Sequence, residues 1–153
     1  MNAVLVAPIC PSITQIAAGG EPRRIRILIV DDDADIRRLE ARILKNAGHH
    51  VDTAADGESA WRALRGGDYN LLVIDHIMPG ISGLALVRQL RVASIALPVV
   101  MVSGSLETLD TARLSRDPRS RINAFVRKPF TIPDLLAAVH SSVASETTQA
   151  MRY

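Results

Sequence analysis

Four apolar runs of this sequence, rich in β-branched residues, are each followed directly by one or more polar residues. Asp31 and Asp32 follow IRILIV, Asp75 follows LLVI, Ser103 follows PVVMV and Lys128 follows INAFVR. In a parallel α/β sheet the strand ends that lead into helices lie along one edge, so these side chains are expected to share one crevice. Carboxylates grouped with a hydroxyl and an ammonium favour phosphoryl transfer, which depends on positioning and charge neutralisation more than on acid–base groups.

The three carboxylates of the crevice predict a bound divalent cation. Asp31, Asp32 and Asp75 repel one another at close range, and Lys128 offsets only one of the three charges. A divalent cation cancels the remainder. Because no thiol or imidazole is placed nearby, the oxygen ligands favour Mg²⁺ or Mn²⁺ over zinc.

Asp75 is the predicted nucleophile of the crevice. It ends a central apolar strand and is followed by the turn HIMPG, residues 76–80, which exposes its carboxylate. Attack of that carboxylate on phosphorus produces an acyl phosphate. Lys128 and Ser103 are expected to contact the phosphoryl oxygens, whereas Arg127 is expected to point to the other face of its strand.

Each of these signals also has a more ordinary interpretation. The pair Asp31-Asp32 precedes a helix that acidic residues often cap, although Asp33 is better placed to do so. Asp75 and Ser103 are common turn residues, and Lys128 suits a solvated strand end. Their joint occurrence at successive strand ends favours the functional interpretation.

The elements that must position these residues alternate from residue 25 onward. Strand-like runs cover residues 25–30, 50–54, 71–74, 97–102 and 122–126. Helix-period stretches separate them: the first follows the predicted N-cap Asp33 and ends near Gly48, the second covers 57–65, and the fourth, at 105–116, has the weakest periodicity. The last helix begins after Thr131 with Pro133 in its first turn. This alternation predicts a doubly wound α/β fold with a five-stranded parallel sheet and five helices.

Length and composition limit the class of protein. With 153 residues, 48% of them hydrophobic, the chain can bury one substantial core. The net charge of +2 does not by itself indicate nucleic-acid binding, and no apolar stretch approaches the roughly 18 residues that span a bilayer. The lone Cys10 cannot form an internal disulfide, which favours a reducing compartment, so we expect a cytoplasmic protein.

The strings ILIVDDDADIR, LLVIDHIMPGISG, VVMVSGS and FVRKPF resemble, in order, the receiver domain of two-component response regulators over residues 25 to about 145. The resemblance implies a flavodoxin-like sheet with strand order 2-1-3-4-5. It implies that Asp31 and Asp32 hold Mg²⁺ and that Asp75 is phosphorylated by a histidine kinase or a histidine phosphotransfer protein. Ser103 and Lys128 would contact the phosphoryl group.

The same resemblance implies a switch. Phosphorylation would draw Ser103 toward the new oxygens and turn Phe125, at the family's aromatic switch position, inward. The surface of the fourth helix, fifth strand and fifth helix would then bind a partner. By the same resemblance the backbone carbonyl of Ile77 would bind the metal and the Lys128-Pro129 peptide bond would be cis.

Self-dephosphorylation is expected to be slow. In the family the attacking water is often oriented by polar side chains two residues beyond the phosphorylated aspartate and two beyond the Ser or Thr. Ile77 and Ser105 occupy those positions here.

The predicted organisation is a flexible N-terminal extension over 1–22, a receiver domain over 23–145 and a C-terminal tail over 146–153. Only about ten residues follow the last predicted helix, too few for a DNA-reading domain. We therefore expect that the chain is not an enzyme and makes no direct contact with nucleic acid or membrane. We expect its output to run through a downstream protein target, with the chain as a monomer or a phosphorylation-dependent dimer. A stand-alone regulator and a relay intermediate both remain open, and kinase pairing is expected to depend on Arg37, Arg38 and Ala41.

Two rival functions are disfavoured by single positions. A phosphohydrolase of the haloacid dehalogenase kind needs a second acid two residues past its nucleophile, where Ile77 stands. Flavin or nucleotide binding needs a glycine-rich or hydroxyl-rich phosphate loop after the first strand, where Asp31 and Asp32 repel phosphate.

Overall fold

The computed structural model of the chain describes residues 23–150, with side chains described through residue 145. The strands are β1 (Arg26–Val30), β2 (His50–Ala54), β3 (Leu71–Asp75), β4 (Val99–Ser103) and β5 (Ala124–Arg127). The helices are α1 (Ala34–Asn46), α2 (Gly57–Gly66), α3 (Gly83–Val92), α4 (Thr111–Arg116) and α5 (Ile132–Ala150), and a 3-10 turn (Leu106–Thr108) precedes α4. Strands and helices alternate as the apolar pattern predicts.

The five strands form one parallel sheet in the order β2-β1-β3-β4-β5. The predicted fold class and strand order are therefore confirmed. In this register the last residue of β3, Asp75, pairs with Val102 of β4, and Ser103 pairs with Arg127 of β5. The register brings the carboxyl ends of β1, β3, β4 and β5 to one edge of the sheet.

Both faces of the sheet are covered, which explains why its central strands are apolar at almost every position. Helices α2, α3 and α4 pack on one face, where alternate strand residues such as Leu28, Ile74 and Met101 are buried. Helices α1 and α5 pack on the other face against Ile27 and Val73 and their neighbours. The alternation of side chains along each strand divides the core into these two layers.

The first helix differs from its apolar pattern in one important respect. The residues whose spacing predicts it are Ile36, Leu39, Ile43 and Ala47. Leu39 is 46% exposed, whereas the adjacent carboxylic acid Glu40 is only 1% exposed. The face of α1 that packs on the sheet therefore includes an acidic residue in place of Leu39.

The segment after β4 also differs from prediction. The sequence predicts one helix over 105–116, but the structure divides it into the 3-10 turn and the six-residue α4, whose N-cap Asp110 accepts a hydrogen bond from Arg113 N. The few apolar residues of this segment explain the break, since only Leu106 and Leu114 are buried there.

Helix α5 continues to Ala150, beyond residue 145, where the sequence analysis ends the domain. Its first turn is fixed by reciprocal hydrogen bonds: Thr131 N donates to Asp134 Oδ2, and Asp134 N donates to Thr131 Oγ1. The predicted extension over 1–22 and the last residues of the predicted tail, 151–153, lie outside the described residues.

Within the part of the chain that the structure describes, no helix combines the length and apolar character that a membrane crossing requires.

Candidate functional site

Three carboxylates meet at the carboxyl edge of the sheet. Asp31 and Asp32 directly follow β1, and Asp75 is the last residue of the adjacent strand β3. One carboxylate oxygen from each residue lies within 4.8 Å of the others. Asp31 and Asp75 are buried, whereas Asp32 is exposed. The predicted acidic cluster is thus formed, with one member open to solvent.

The backbone around β1 holds Asp31 in place. Its Oδ1 atom accepts a hydrogen bond from Asp33 N at 2.8 Å, and its carbonyl oxygen accepts one from the guanidinium of Arg37 at 2.7 Å. Asp33 caps α1 by accepting hydrogen bonds from the amides of Asp35 and Ile36, as predicted. Because Asp33 takes the capping role, the carboxylates of Asp31 and Asp32 remain available to the crevice.

Lys128 joins the two buried carboxylates. Its ammonium donates to Asp31 Oδ2 at 2.8 Å and to Asp75 Oδ1 at 3.0 Å. Its backbone amide donates to the carbonyl of Ser103 at 2.9 Å, which fixes the chain after β5 against the end of β4. The Lys128-Pro129 peptide bond is cis, as the resemblance implies.

The electrostatics of the crevice follow from burial and from like charges. Burial raises the pKa of Asp75; Lys128 lowers it in part, and Asp31 and Asp32 raise it again. Burial alone would lower the pKa of Lys128, but its hydrogen bonds to Asp31 and Asp75 outweigh burial and leave that pKa raised. The ammonium therefore stays charged, and one positive charge faces three carboxylates.

This donor set fits a hard divalent cation. The three grouped ligand atoms are carboxylate oxygens, and the crevice carries excess negative charge. Such ligands suit Mg²⁺ or Mn²⁺. Asp31, Asp32 and Asp75 are the residues that would hold the ion.

Ser103 lies at the same edge, but its hydroxyl is turned to its own loop. The side chain is buried, and its Oγ accepts a hydrogen bond from Ser105 N at 3.1 Å. The structure thus brings Ser103 to the neighbouring strand end without joining it to the network of Asp31, Asp75 and Lys128. Its contact with a phosphoryl group stays a prediction.

Two further predicted residues lie in β5 and in the loop after β3. Phe125 is buried in the core layer beneath α2, α3 and α4, so the inward position that the resemblance assigns to the phosphorylated state is already filled in this structure. Ile77, in the loop after β3, exposes 61% of its surface. The metal-ligand role of its carbonyl stays a prediction, as does the switch role of Phe125.

Gly83, for which the sequence predicts no role, fixes the backbone at the end of β3 beside Asp75. A side chain there would place its Cβ only 2.2 Å from the carbonyl oxygen of Asp75, and Gly83 N donates to the carbonyl of His76 at 3.0 Å. The signal in the sequence is a glycine in the first turn of a helix, where it is a poor helix former. The glycine lets α3 begin directly against the end of β3.

Glu40 is a second residue whose buried position the apolar pattern of the sequence does not predict. It follows Ile36 by four residues and precedes Ile43 by three, so helical spacing places it on the inner face of α1. The pKa of its carboxyl is raised to about 8, chiefly by burial; the charges of Asp31 and Asp75 also raise it, and that of Lys128 lowers it. Its Oε1 atom is buried with no hydrogen-bond partner.

Comparisons with known families and proteins agree on one relationship. The sequence profile of the response regulator receiver domain matches residues 27–140. The transcriptional regulatory protein TcrA of Mycobacterium tuberculosis is 35% identical over 136 residues, which cover 84% of this chain and 52% of TcrA. The response regulator RppA of a Synechocystis species is 30% identical over 126 residues, 76% of this chain and 50% of RppA. The chain therefore spans about half the length of the curated relatives it matches.

Solved structures share the fold. The chemotaxis protein CheY4 of Vibrio cholerae superposes with a TM-score of 0.70 at 25% identity, over 78% of this chain and 99% of that one. NtrX of Brucella abortus, solved in complex with ATP, superposes with a TM-score of 0.75 at 32% identity, over 84% of this chain but only 29% of NtrX.

Proposed function

The chain belongs to the response regulator receiver domain family of two-component signalling, and we propose that it accepts a phosphoryl group on Asp75 from a histidine kinase or a histidine phosphotransfer protein. One observation carries the proposal. The ammonium of Lys128 donates to both Asp31 and Asp75 at 2.8 and 3.0 Å, at the strand edge where the three carboxylates meet. Family members are signalling domains, so we propose that the phosphorylated state of Asp75 is a signal rather than an intermediate in hydrolysis.

In the proposed reaction an oxygen of Asp75 attacks the phosphorus of a phosphohistidine. The new oxygen–phosphorus bond makes Asp75 an acyl phosphate, and the phosphorus–nitrogen bond breaks as the imidazole leaves with its electron pair. Because Asp75 is buried, bulk water is kept away from its carboxylate. The exposed Asp32 marks the side from which we expect the donor to approach. Gly83 keeps the backbone of Asp75 fixed during the transfer.

Charge neutralisation comes from two sources. Receiver domains bind Mg²⁺ at an acidic pocket, and the ion, held by Asp31, Asp32, Asp75 and the Ile77 carbonyl, would neutralise phosphoryl oxygens. Lys128 follows the phosphoryl group as a point charge on a flexible stem. Its hydrogen bond to Asp75 Oδ1 already holds the ammonium beside the carboxylate that would react.

The proposed switch runs through the ends of β4 and β5. A phosphoryl oxygen would take the Ser103 hydroxyl from the amide of Ser105, which now donates to it. Because Lys128 N is bonded to the carbonyl of Ser103, movement at β4 reaches the chain before α5. Phe125 lies buried on the intervening strand and would respond to the same change.

Output is proposed to run through a cytoplasmic protein target on the surface of α4, β5 and α5. A second arrangement is favoured by the relatives: TcrA is named a transcriptional regulatory protein, and the chain spans about half of it. The domain over 23–145 would then be the input half of a longer regulator. Measuring the mass of the native protein in cell extracts with an antibody against this domain separates the two arrangements.

The primary test is phosphorylation of the purified chain with acetyl phosphate, with and without Mg²⁺. We expect a mass gain of one phosphoryl group that requires Mg²⁺, is released by hydroxylamine and is lost in Asp75→Asn. Asp35→Asn is the matched control, because Asp35 is an exposed acid at the start of α1. A folded wild-type chain that gains no mass, or an Asp75→Asn variant that still does, would overturn the proposal.

The partner is tested in the same preparation. Labelled phosphoryl on Asp75 is chased onto purified histidine phosphotransfer proteins. Rapid transfer supports a relay intermediate, and retention of the label supports a stand-alone regulator.

A further inference from the structure

We propose that an apolar groove between α1 and α5 is covered by the protein's own N-terminal segment, residues 1–22. The groove has a volume of about 420 Å³, and its apolar wall consists of Leu39, Ile43 and Ala47 of α1 and Ile132 and Leu136 of α5. The sequence predicts a flexible extension over residues 1–22, and docking would order the part that enters the groove. None of the wall residues belongs to the phosphorylation site, so the contact is independent of the proposed function.

The groove concentrates exposed apolar surface. Four large apolar side chains are exposed in the described part of the chain, and two of them, Leu39 and Ile132, line this groove. They are 46% and 56% exposed. Single exposed apolar residues are common on protein surfaces, but two that line one groove indicate a binding surface, because covering both removes apolar area from water.

The first described residues bring the end of the segment to this groove. His50 N donates to the carbonyl oxygen of Ile25 at 2.9 Å. His50 lies three residues beyond Ala47, where the α1 side of the groove ends, and Ile25 lies three residues beyond the segment. The α1 wall from Leu39 to Ala47 is about 12 Å long at ~1.5 Å per residue. About four extended residues cover that length, so a segment of 22 residues can reach the whole groove.

The composition of the segment suits an apolar groove. Glu21 is its only charged side chain. Because α1 returns from the carboxyl edge of the sheet to the edge where β1 begins, a segment lying along α1 must reverse its direction before β1. Gly19 and Gly20 favour a turn at that place. The large aliphatic residues of the segment all precede these glycines: they are Val4, Leu5, Val6, Ile9, Ile13 and Ile16.

Charge disfavours a second copy of this chain as the occupant. Arg42 lines the groove, and Lys45 lies in the last turn of the same helix; both are exposed. A two-fold contact through α1 would place these cations opposite their own counterparts, which repel one another. The N-terminal segment carries no lysine, arginine or histidine, and its attachment to β1 gives it an effective concentration on the order of 1 mM at the groove.

Cys10 provides a direct readout of docking, because it is the only cysteine of the chain and lies within the segment. A nitroxide attached to Cys10 of the full ¹⁵N-labelled chain broadens the amide resonances of residues that lie near it. We expect strong broadening at Leu39, Ile43 and Leu136, and its loss when the nitroxide is reduced. Residues of α3 should keep their intensity, because α3 packs on the other face of the sheet.

Two variants test whether the groove itself holds the segment. Leu39→Gln and Ile132→Gln each remove apolar surface at an exposed position, so we expect both to fold. Each should lower the equilibrium constant for docking about tenfold, with a matching loss of broadening, because part of the buried apolar area is lost. Val92→Gln is the matched control, since Val92 is an exposed apolar residue on α3.

The source of the broadening is tested with a mixture of two chains, one carrying only the nitroxide and the other only ¹⁵N. We expect no broadening at the groove in this mixture. Broadening there would identify a second copy as the occupant and overturn the proposal. A folded chain that carries both labels but shows no broadening on α1 and α5 would also overturn it. So would broadening that persists in both Leu39→Gln and Ile132→Gln; if one of these variants does not fold, the other decides.

Discussion

The first and fourth strand–helix units of the sheet supply the crevice in different ways. In the unit of β1 and α1, a five-residue strand leads through a capped turn into a helix of thirteen residues, and two carboxyls, Asp31 and Glu40, are buried. In the unit of β4 and α4, a strand of the same length is followed by a 3-10 turn and a helix of only six residues. That unit buries the hydroxyl of Ser103 but, among its described residues, no ionisable side chain.

The difference indicates a division of labour. The first unit fixes charge at a defined place, which requires a long helix and a firm cap. In the fourth unit β4 is fully buried, but helix α4 packs only weakly on its neighbours, and an exposed ion pair between Glu107 and Arg127 ties the 3-10 turn to β5. Short helices are marginal without such contacts, so this unit is suited to change shape when Ser103 changes partners. The buried carboxyls Asp31 and Glu40 and the segment suited to change shape therefore lie on opposite sides of Asp75.

The strongest test compares Asp31→Asn with Ser103→Ala. We expect Asp31→Asn to slow Mg²⁺-dependent phosphorylation by at least about 100-fold, because it removes a proposed Mg²⁺ ligand and a hydrogen-bond partner of Lys128. Ser103→Ala should slow it about tenfold, since one hydrogen bond to the phosphoryl group is lost. Initial rates with acetyl phosphate measure both, with Asp35→Asn as control. Equal effects would contradict the division of labour.

The buried carboxyl of Glu40 in the first unit should make the stability of the fold depend on pH. The folded pKa of Glu40 is raised to about 8 from an ordinary value near 4.5, so the folded chain binds more protons than the unfolded chain between these values. The stability that protonated Glu40 contributes is therefore fully present below pH 4.5 and is lost as the pH rises through about 8. Denaturant unfolding with EDTA should show Glu40→Gln relatively more stable by roughly 3 kcal/mol at pH 8 than at pH 5. Parallel curves for the two proteins would contradict the burial of a carboxyl here.

The helix caps test whether the two units are equally firm. Asp33→Ala should lower the Tm by about 4 °C, because α1 unfolds only with the domain. Asp110→Ala should lower it by about 1 °C, because the short α4 opens locally. Calorimetry gives the two values, and hydrogen exchange should show faster exchange confined to α4 in Asp110→Ala. A global effect of Asp110→Ala as large as that of Asp33→Ala would show that the fourth unit is as firm as the first.

The smallest expected effect concerns loss of the phosphoryl group. Ile77 exposes an apolar side chain beside the crevice, where it cannot orient a water. Ile77→Asn should shorten the lifetime of the aspartyl phosphate by about threefold, which corresponds to less than ~1 kcal/mol. Val92→Asn, at an exposed position on α3, is the matched control. A lifetime that does not change would indicate that water is oriented from the side of the fourth unit.

Much of the site follows from local sequence. Asp31, Asp32, Asp75 and Lys128 could be placed together because each follows an apolar run, and parallel strand ends share an edge. The cap at Asp33 follows from residue type and position. The interruption of the fourth helix could not be located, since weak periodicity predicts a weak helix but not where it breaks.

What the sequence determined by itself is the order of strands and helices, because the apolar periodicity and the cap residues are local properties. It also determined which polar residues stand at the strand ends. Only the tertiary structure decided that Glu40 lies inside while Leu39 is exposed, that the Ser103 hydroxyl turns to its own loop, and that a side chain at residue 83 would meet the backbone of Asp75. The reason is physical: burial, hydrogen-bond partners and close backbone approach depend on atoms far apart in the chain, and only packing brings them together.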